Sequence, residues 1–406
     1  MTQIYQTENG STAPWPLSNS HPLRLRPPTR PEPGGSRSSP PRAESTDRRA
    51  SRPVNCLTFD IEEHFQVSAF ESPMRRRHWE NFESRVVRNT EKILELLRMR
   101  DVRATFFVLG WVAERHRHLV RRIASEGHEV ASHGYAHELI TLQTPGEFRE
   151  DVRKTKAILE EIIGGPVQGY RAPSFTITRE TTWAFKILAE EGYLYDSSVF
   201  PVLHPTYGMP GAKTKCHVVL TQAGPLWEFP LSTATIGGLR LPVAGGGYFR
   251  LFPYGLIRRL LRRVEAEGQA LVMYLHPWEL DPDQPRMHGP LLSRFRHYVN
   301  LHKTEGRLMQ LLGDFRFAPI RDAILPMMKL KETKTVIVQR SFTPHGNGAQ
   351  AVIRQPSTVS PFDPSTVLRG GRAQGRGPRS VIKPTANRKM TAEDLGILRV
   401  GDHTDV

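Results

Sequence analysis

Cysteine is nearly absent from this chain. Cys56 and Cys216 are the two in 406 residues, which excludes a disulfide framework. Cys56 lies inside an apolar run and reads as a small buried residue. Long apolar runs are absent too: none approaches the ~20 residues that span a bilayer. The opening "MTQIYQTENGSTAPWP" has neither a basic start nor an apolar core. No secretory signal peptide is therefore expected, and a cytoplasmic location is the default. Apolar periodicity is scarce at both ends. Residues 1–53, with "SRSSPPRAESTDRRASRP", and residues 321–406, with "GGRAQGRGPRS", bury too little surface to offset chain entropy. Both are expected to be basic, largely disordered tails. Acidic charge is in short supply, with 41 Asp and Glu against 56 Lys and Arg, a net charge of +15. Yet +4 of that lies in residues 1–53 and +7 in residues 321–406, which leaves an ordinary +4 for the middle. Basic tails on a near-neutral domain argue against a nucleic-acid-binding domain. They suit peripheral contact with an anionic membrane or polysaccharide.

The middle, residues 54–320, alternates between strand and helix patterns. Strand-like runs occur at 54–59, 104–110, 128–133, 167–171 and 270–276. Residues 82–97 place Phe82, Val86, Thr90, Ile93, Leu94 and Leu97 on one helical stripe. A helix over 145–163 opens with Thr144, Pro145 and Glu147, a capping box with proline at the first helical position, and ends at Gly164. Helices near 180–191 and 254–267 run into Gly192 and Gly268. Such alternation predicts an α/β fold with a parallel sheet, open or closed into a barrel. In either form ligands sit at the C-terminal ends of the strands. Asp60, His133, Arg171 and His276 each follow a predicted strand.

In "VNCLTFDIEEHFQV" the carboxylates of Asp60, Glu62 and Glu63 crowd one strand end. A divalent cation offsets that repulsion. "SHGYAH" supplies His133 and His137 in HxxxH spacing, without the glutamate of a zincin's HExxH. Two imidazoles and one carboxylate make a three-ligand set with an open position, as a catalytic metal site requires. A free carboxylate beside such a site can act as general base. Arg171 in "GYRAPSF" is placed to keep it ionised. His276 in "MYLHPWE" can protonate a leaving group, and Asp196 in "YDSSVFP" can orient that histidine. Pro173 has no N–H, so an oxyanion after Arg171 must be met by Ala172 or Ser174. Trp278, Trp227 and Tyr170 read equally as sugar-stacking or core aromatics. The glycines at 245–247 read as a tight connection rather than a phosphate cradle.

Four motifs in order, "TFDIEEH", "SHGYAH", "RAP" and "YLHP", resemble the polysaccharide deacetylases with a NodB homology domain, carbohydrate esterase family 4. The likeness covers about residues 54–280. The stretch from "LPVAGGGYFRLFPY" to "YLHPWELDPDQPR" resembles an extension, from about residue 200, of deacetylases in exosortase-type exopolysaccharide systems. The resemblance implies a distorted (β/α) barrel and a divalent metal ion, usually zinc. It implies Asp60 as base, His133 and His137 as metal ligands, Arg171 as partner of the base and His276 as general acid. Ile61 stands where the family's metal carboxylate follows the base. Alternation along an extended chain returns Glu62 to the face of Asp60, which favours Glu62 over Glu63 as ligand. Val199 and Phe200 follow Asp196 where the family has a tryptophan, so Asp196 rests on a partial match. The implied activity is removal of N-acetyl groups from amino sugars of a chitooligosaccharide, exopolysaccharide or peptidoglycan. The rivals are hydrolysis of a small cyclic amide or imide on the same fold, and a catalytically silent carbohydrate-binding protein.

Overall fold

The structure, a computed structural model, describes residues 54–70, 76–204 and 206–325, together with Met328 and the backbone of Leu398–Arg399. The expected disordered tails at 1–53 and, for the most part, 321–406 lie outside the described residues.

The strands are β1 (Asn55–Ile61), β2 (Thr105–Val108), β3 (Glu129–Ser132), β4 (Gly169–Tyr170), β5 (Tyr195–Asp196), β6 (His217–Thr221), β7 (Gly224–Glu228), β8 (Thr233–Ile236), β9 (Leu239–Pro242), β10 (Val272–Leu275), β11 (Phe317–Ala318) and β12 (Leu398–Arg399). The main sheet runs β10-β1-β2-β3-β4-β5-β7-β6-β12, and β11 also pairs with β1. Its pairings are parallel except the β6–β7 hairpin. Strands β8 and β9 form a separate antiparallel ribbon. Strands β1, β2, β3 and β10 are buried throughout, as befits a parallel sheet covered on both faces. Alternate residues of β1 divide between two cores: Leu57, Phe59 and Ile61 pack under the helices, whereas Cys56 joins Phe107, Ala131 and Tyr195 inside the curl of the sheet. Irregular chain bridges β7 toward β10. Ser232 N–H reaches Val272 O at 3.3 Å, and Tyr274 N–H reaches Ala244 O at 2.8 Å. The result is the distorted, incompletely closed (β/α) barrel expected.

The helices are α1 (Val86–Arg98), α2 (Gly110–Arg115), α3 (Arg117–Ser125), α4 (Pro145–Ile163), α5 (Trp183–Glu190), α6 (Gly246–Leu251), α7 (Tyr254–Ala266), α8 (Leu291–Tyr298) and α9 (Thr304–Asp314). Helix α4 has the expected boundaries: Thr144 and Glu147 form the capping box, and Gly164 closes the helix at φ 65°. Helix α1 starts four residues later than its apolar stripe suggests. The Glu63 carboxylate accepts the N–H groups of Arg85 and Val86 at 3.0–3.2 Å and sets the start there. Phe82 stays outside the helix and stacks on Phe65, ring centroids 4.9 Å apart.

Strand register assembles the polar groups. Phe59 pairs with Leu275, so the next residues, Asp60 and His276, meet side by side. Val108 pairs with Ser132 and Ser132 with Tyr170, which aligns His133 with Arg171. Tyr170 pairs with Asp196. Each polar residue sits at or next to its strand's C-terminal end, so their side chains gather along one edge of the sheet.

Candidate active site

Asp60 and Arg171 form a buried ion pair at 2.7 Å. Arg171 has no exposed surface, and all three of its guanidinium nitrogens are hydrogen-bonded. Nη1 also donates to Thr58 Oγ1 at 2.6 Å, Nε to Ser197 O at 3.0 Å and Nη2 to Ser197 Oγ at 2.9 Å. Its guanidinium lies 4.1 Å above the Phe107 ring. Removing either partner would leave an uncompensated buried charge, which costs about 3–5 kcal/mol.

Glu62, His133 and His137 present ligand atoms that all lie within 4.8 Å of one another. Glu62 Oε2 is 2.8 Å from His137 Nε2 and 4.0 Å from His133 Nε2. This oxygen is buried without a well-aligned hydrogen bond. A His₂-carboxylate set around an orphaned buried oxygen fits a divalent cation. His133 Nδ1 is bonded to Arg171 O at 2.8 Å, which turns Nε2 toward the cluster. The loop to His137 is held by Asp151, whose carboxylate accepts the Tyr135 N–H at 3.0 Å. His137 itself takes φ 51°. Glu63 takes no part in the cluster, because its carboxylate caps α1.

His276 closes the site. Its Nε2 lies 3.7 Å from Glu62 Oε1 and 3.9 Å from Asp60 Oδ2. Its Nδ1 bonds Glu279 Oε1 at 2.7 Å. Burial works to lower its pKa, but the Glu62, Glu279 and Asp60 carboxylates lift it to about 9. Burial pushes the His133 imidazole down to about 4. Burial also disfavours charge on Glu62, yet His137 and His276 beside it hold its carboxyl well below the ordinary range.

Asp196 does not orient His276. Ser198 Oγ and Ser198 N–H donate to it at 2.5 and 3.1 Å, and it shares a hydrogen bond with Glu228. Burial raises both carboxyls. The orienting contact belongs to Glu279, three residues beyond His276 and so within one helical turn of it. The sequence carried a signal for it. His276-Pro277-x-Glu279 repeats the pattern of Thr144-Pro145-x-Glu147, and the Glu279 carboxylate accepts the His276 backbone N–H at 3.1 Å. Arg250, bonded to Glu279 at 2.6 Å, had no local signal. Of the two amides offered to an oxyanion, that of Ala172 donates to Ser198 Oγ at 2.8 Å, which leaves Ser174. Tyr170 and Trp278 are buried, not exposed platforms, whereas Trp227 is half-buried. Gly245 is a tight connection, since a Cβ there would lie 1.8 Å from Tyr274 O.

Residues 50–193 match the family model described as polysaccharide deacetylase. Residues 197–325 match a second model, described as a domain of unknown function (DUF3473). A peptidoglycan-N-acetylglucosamine deacetylase of Bacillus cereus is 39% identical over 84 residues, 21% of this chain and 30% of that protein. A peptidoglycan deacetylase of Helicobacter pylori is 28% identical over 108 residues, 27% of this chain and 36% of that protein. The chain thus spans about a third of the length of these curated relatives. Among solved structures, an allantoinase aligns with a TM-score of 0.45 at 17% identity, covering 70% of this chain and 91% of that one.

The two matched segments share one sheet and one site. Asp60, Glu62, His133, His137 and Arg171 come from the first, His276, Glu279 and Arg250 from the second. No helix among the described residues is long and apolar enough to cross a membrane.

Proposed function

We propose that the protein is a metal-dependent hydrolase that removes N-acetyl groups from amino sugars of an oligo- or polysaccharide. The observation that carries this reading is the convergence of an Arg171-paired Asp60, the Glu62–His133–His137 cluster and His276 on one buried strand edge. The cluster would hold a divalent ion, with zinc the choice that the His₂-carboxylate donors favour. Bound there, such an ion acidifies water and polarises a carbonyl. Asp60, paired with Arg171, accepts the proton of the attacking water. The Ser174 amide faces the oxygen of the acetyl carbonyl as charge develops on it. His276, protonated at neutral pH, gives its Nε2 proton to the departing amine. The C–N bond breaks, acetate leaves and the free amino sugar remains. An intact base and acid speak against a silent binding protein.

Acetate release should be measured from chitooligosaccharides, peptidoglycan fragments and lipid-linked exopolysaccharide repeat units, with and without added zinc. Asp60→Asn should lower kcat by roughly 10²–10⁴ with zinc binding retained. Hydrolysis of cyclic amides or imides in place of all three saccharides would overturn the substrate reading. An Asp60→Asn protein with normal kcat would remove Asp60 from the mechanism.

A further inference from the structure

We propose that the segment of unknown function, residues 197–325, is an active-site module that positions Glu62 through Trp278, and His276 through Glu279 and Arg250. The proposal rests on the deacetylase reading above for its second half only.

The Trp278 indole N–H donates to Glu62 Oε1 at 3.0 Å. The other oxygen of that carboxylate is the one facing His137 and His133. One oxygen is thus tied down and the other aimed, so Glu62 is ordered for ligation by a single oxygen before any ion arrives. Trp278 can hold it because Trp278 is itself fixed. The residue is 6% exposed, and its ring stacks with two imidazoles. His276 stacks on it at 4.9 Å and 17°, and His297 at 4.2 Å and 16°. His297 is pinned in turn by Gln284 Oε1 at 2.7 Å from its Nε2.

His276 is fixed from its far side. Glu279, with no exposed surface, takes both Nδ1 and the backbone N–H of His276 on one oxygen. Its second oxygen takes Arg250 Nε at 2.6 Å. Arg250 donates three further hydrogens to the carbonyls of His297, Val299 and Arg296 at 2.7–3.0 Å. The chain of contacts leaves the imidazole one orientation, with Nε2 toward Asp60 and Glu62. Trp278, Glu279 and Arg250 touch no reacting atom; they are positioning residues, and all three lie in the second matched segment.

The test uses the full-length protein and separates the two halves. Trp278→Phe keeps a stacking ring and removes the N–H. Its zinc dissociation constant, measured by competition with a chromophoric chelator, should weaken about 10–100-fold, the usual effect of losing an outer contact to a ligand. An unchanged constant overturns the role of Trp278. This readout needs no substrate, so it stands even if no saccharide is deacetylated. Glu279→Gln should lower kcat by roughly 10²-fold at saturating zinc, with KM and the zinc constant unchanged. Wild-type kcat in that variant overturns the role of Glu279. Should the buried Arg250 destabilise it, the double variant Glu279→Gln with Arg250→Met removes both partners and is held to the same kcat criterion.

Discussion

At the level of single residues, the buried imidazoles have opposite fates. His276 is surrounded by carboxylates and stays charged, whereas His128 is buried beside backbone. The Ala104 N–H donates to His128 Nδ1 at 3.2 Å, a bond that needs the neutral ring. Burial pushes its pKa down to about 4, against about 6.5 when unfolded. Its folded pKa is depressed, so the folded state binds fewer protons between these values. The stabilisation is fully present above pH 6.5 and is lost as pH falls toward 4. Urea midpoints at pH 7.0 and 5.0 should therefore differ, with the lower at pH 5.0. His128→Asn keeps an acceptor for Ala104 and cannot titrate, so its midpoint should fall less over the same interval. An equal fall in both proteins would remove His128 as a source of acid lability.

Among the elements, the least regular connection is the most constrained. The chain from β9 to α6 passes Gly245 at φ 146°, and the bridge to Tyr274 brings backbone against backbone. A methyl group there meets Tyr274 O at 1.8 Å. Neither partner is a flexible side-chain tip, so the clash cannot be relieved locally. Gly245→Ala should destabilise the protein by at least about 1–3 kcal/mol, read from the urea midpoint. Gly255, inside α7, is the contrast, since a methyl group there would meet nothing within 4 Å. Gly255→Ala should raise stability by roughly 0.5–1 kcal/mol. The glycine run 245–247 was legible as a turn, but which glycine tolerates no side chain depends on β10, 27 residues further on.

For the whole molecule, two family models divide what the sheet joins. β1 lies between β10 and β2 and also pairs with β11. Thr58 Oγ1 donates to Met273 O at 2.7 Å, and the Leu271 N–H to Asn55 Oδ1 at 2.9 Å. Asp281, from the second segment, holds α1 through Arg85, Arg88 and Asn89 at 3.0–3.1 Å. A fragment of residues 50–195 would expose one edge of its central strand and lose these anchors. It should fail to fold alone, giving a collapsed amide spectrum in two-dimensional NMR; a dispersed, native-like spectrum would show the first segment to be autonomous.

Local pattern was enough for much of this protein. The strand ends that carry Asp60, His133, Arg171 and His276, the α4 caps and the placement of Glu62 rather than Glu63 beside His133 and His137 all follow from period, capping chemistry and alternation, which act over a few residues. The late start of α1 did not follow, because its cap is Glu63, 22 residues upstream of Arg85. Nor did the loss of Asp196 to Glu228 on a neighbouring strand, although the local His276-Pro277-x-Glu279 pattern did point to Glu279. Trp278 gained its role only when parallel pairing set β10 against β1, and Arg250 only when α6 came to lie beside the chain that follows β10. Register and burial decide such contacts. They bring together residues as far apart as Glu62 and Trp278, 216 positions from one another, a separation over which no local preference of the chain extends.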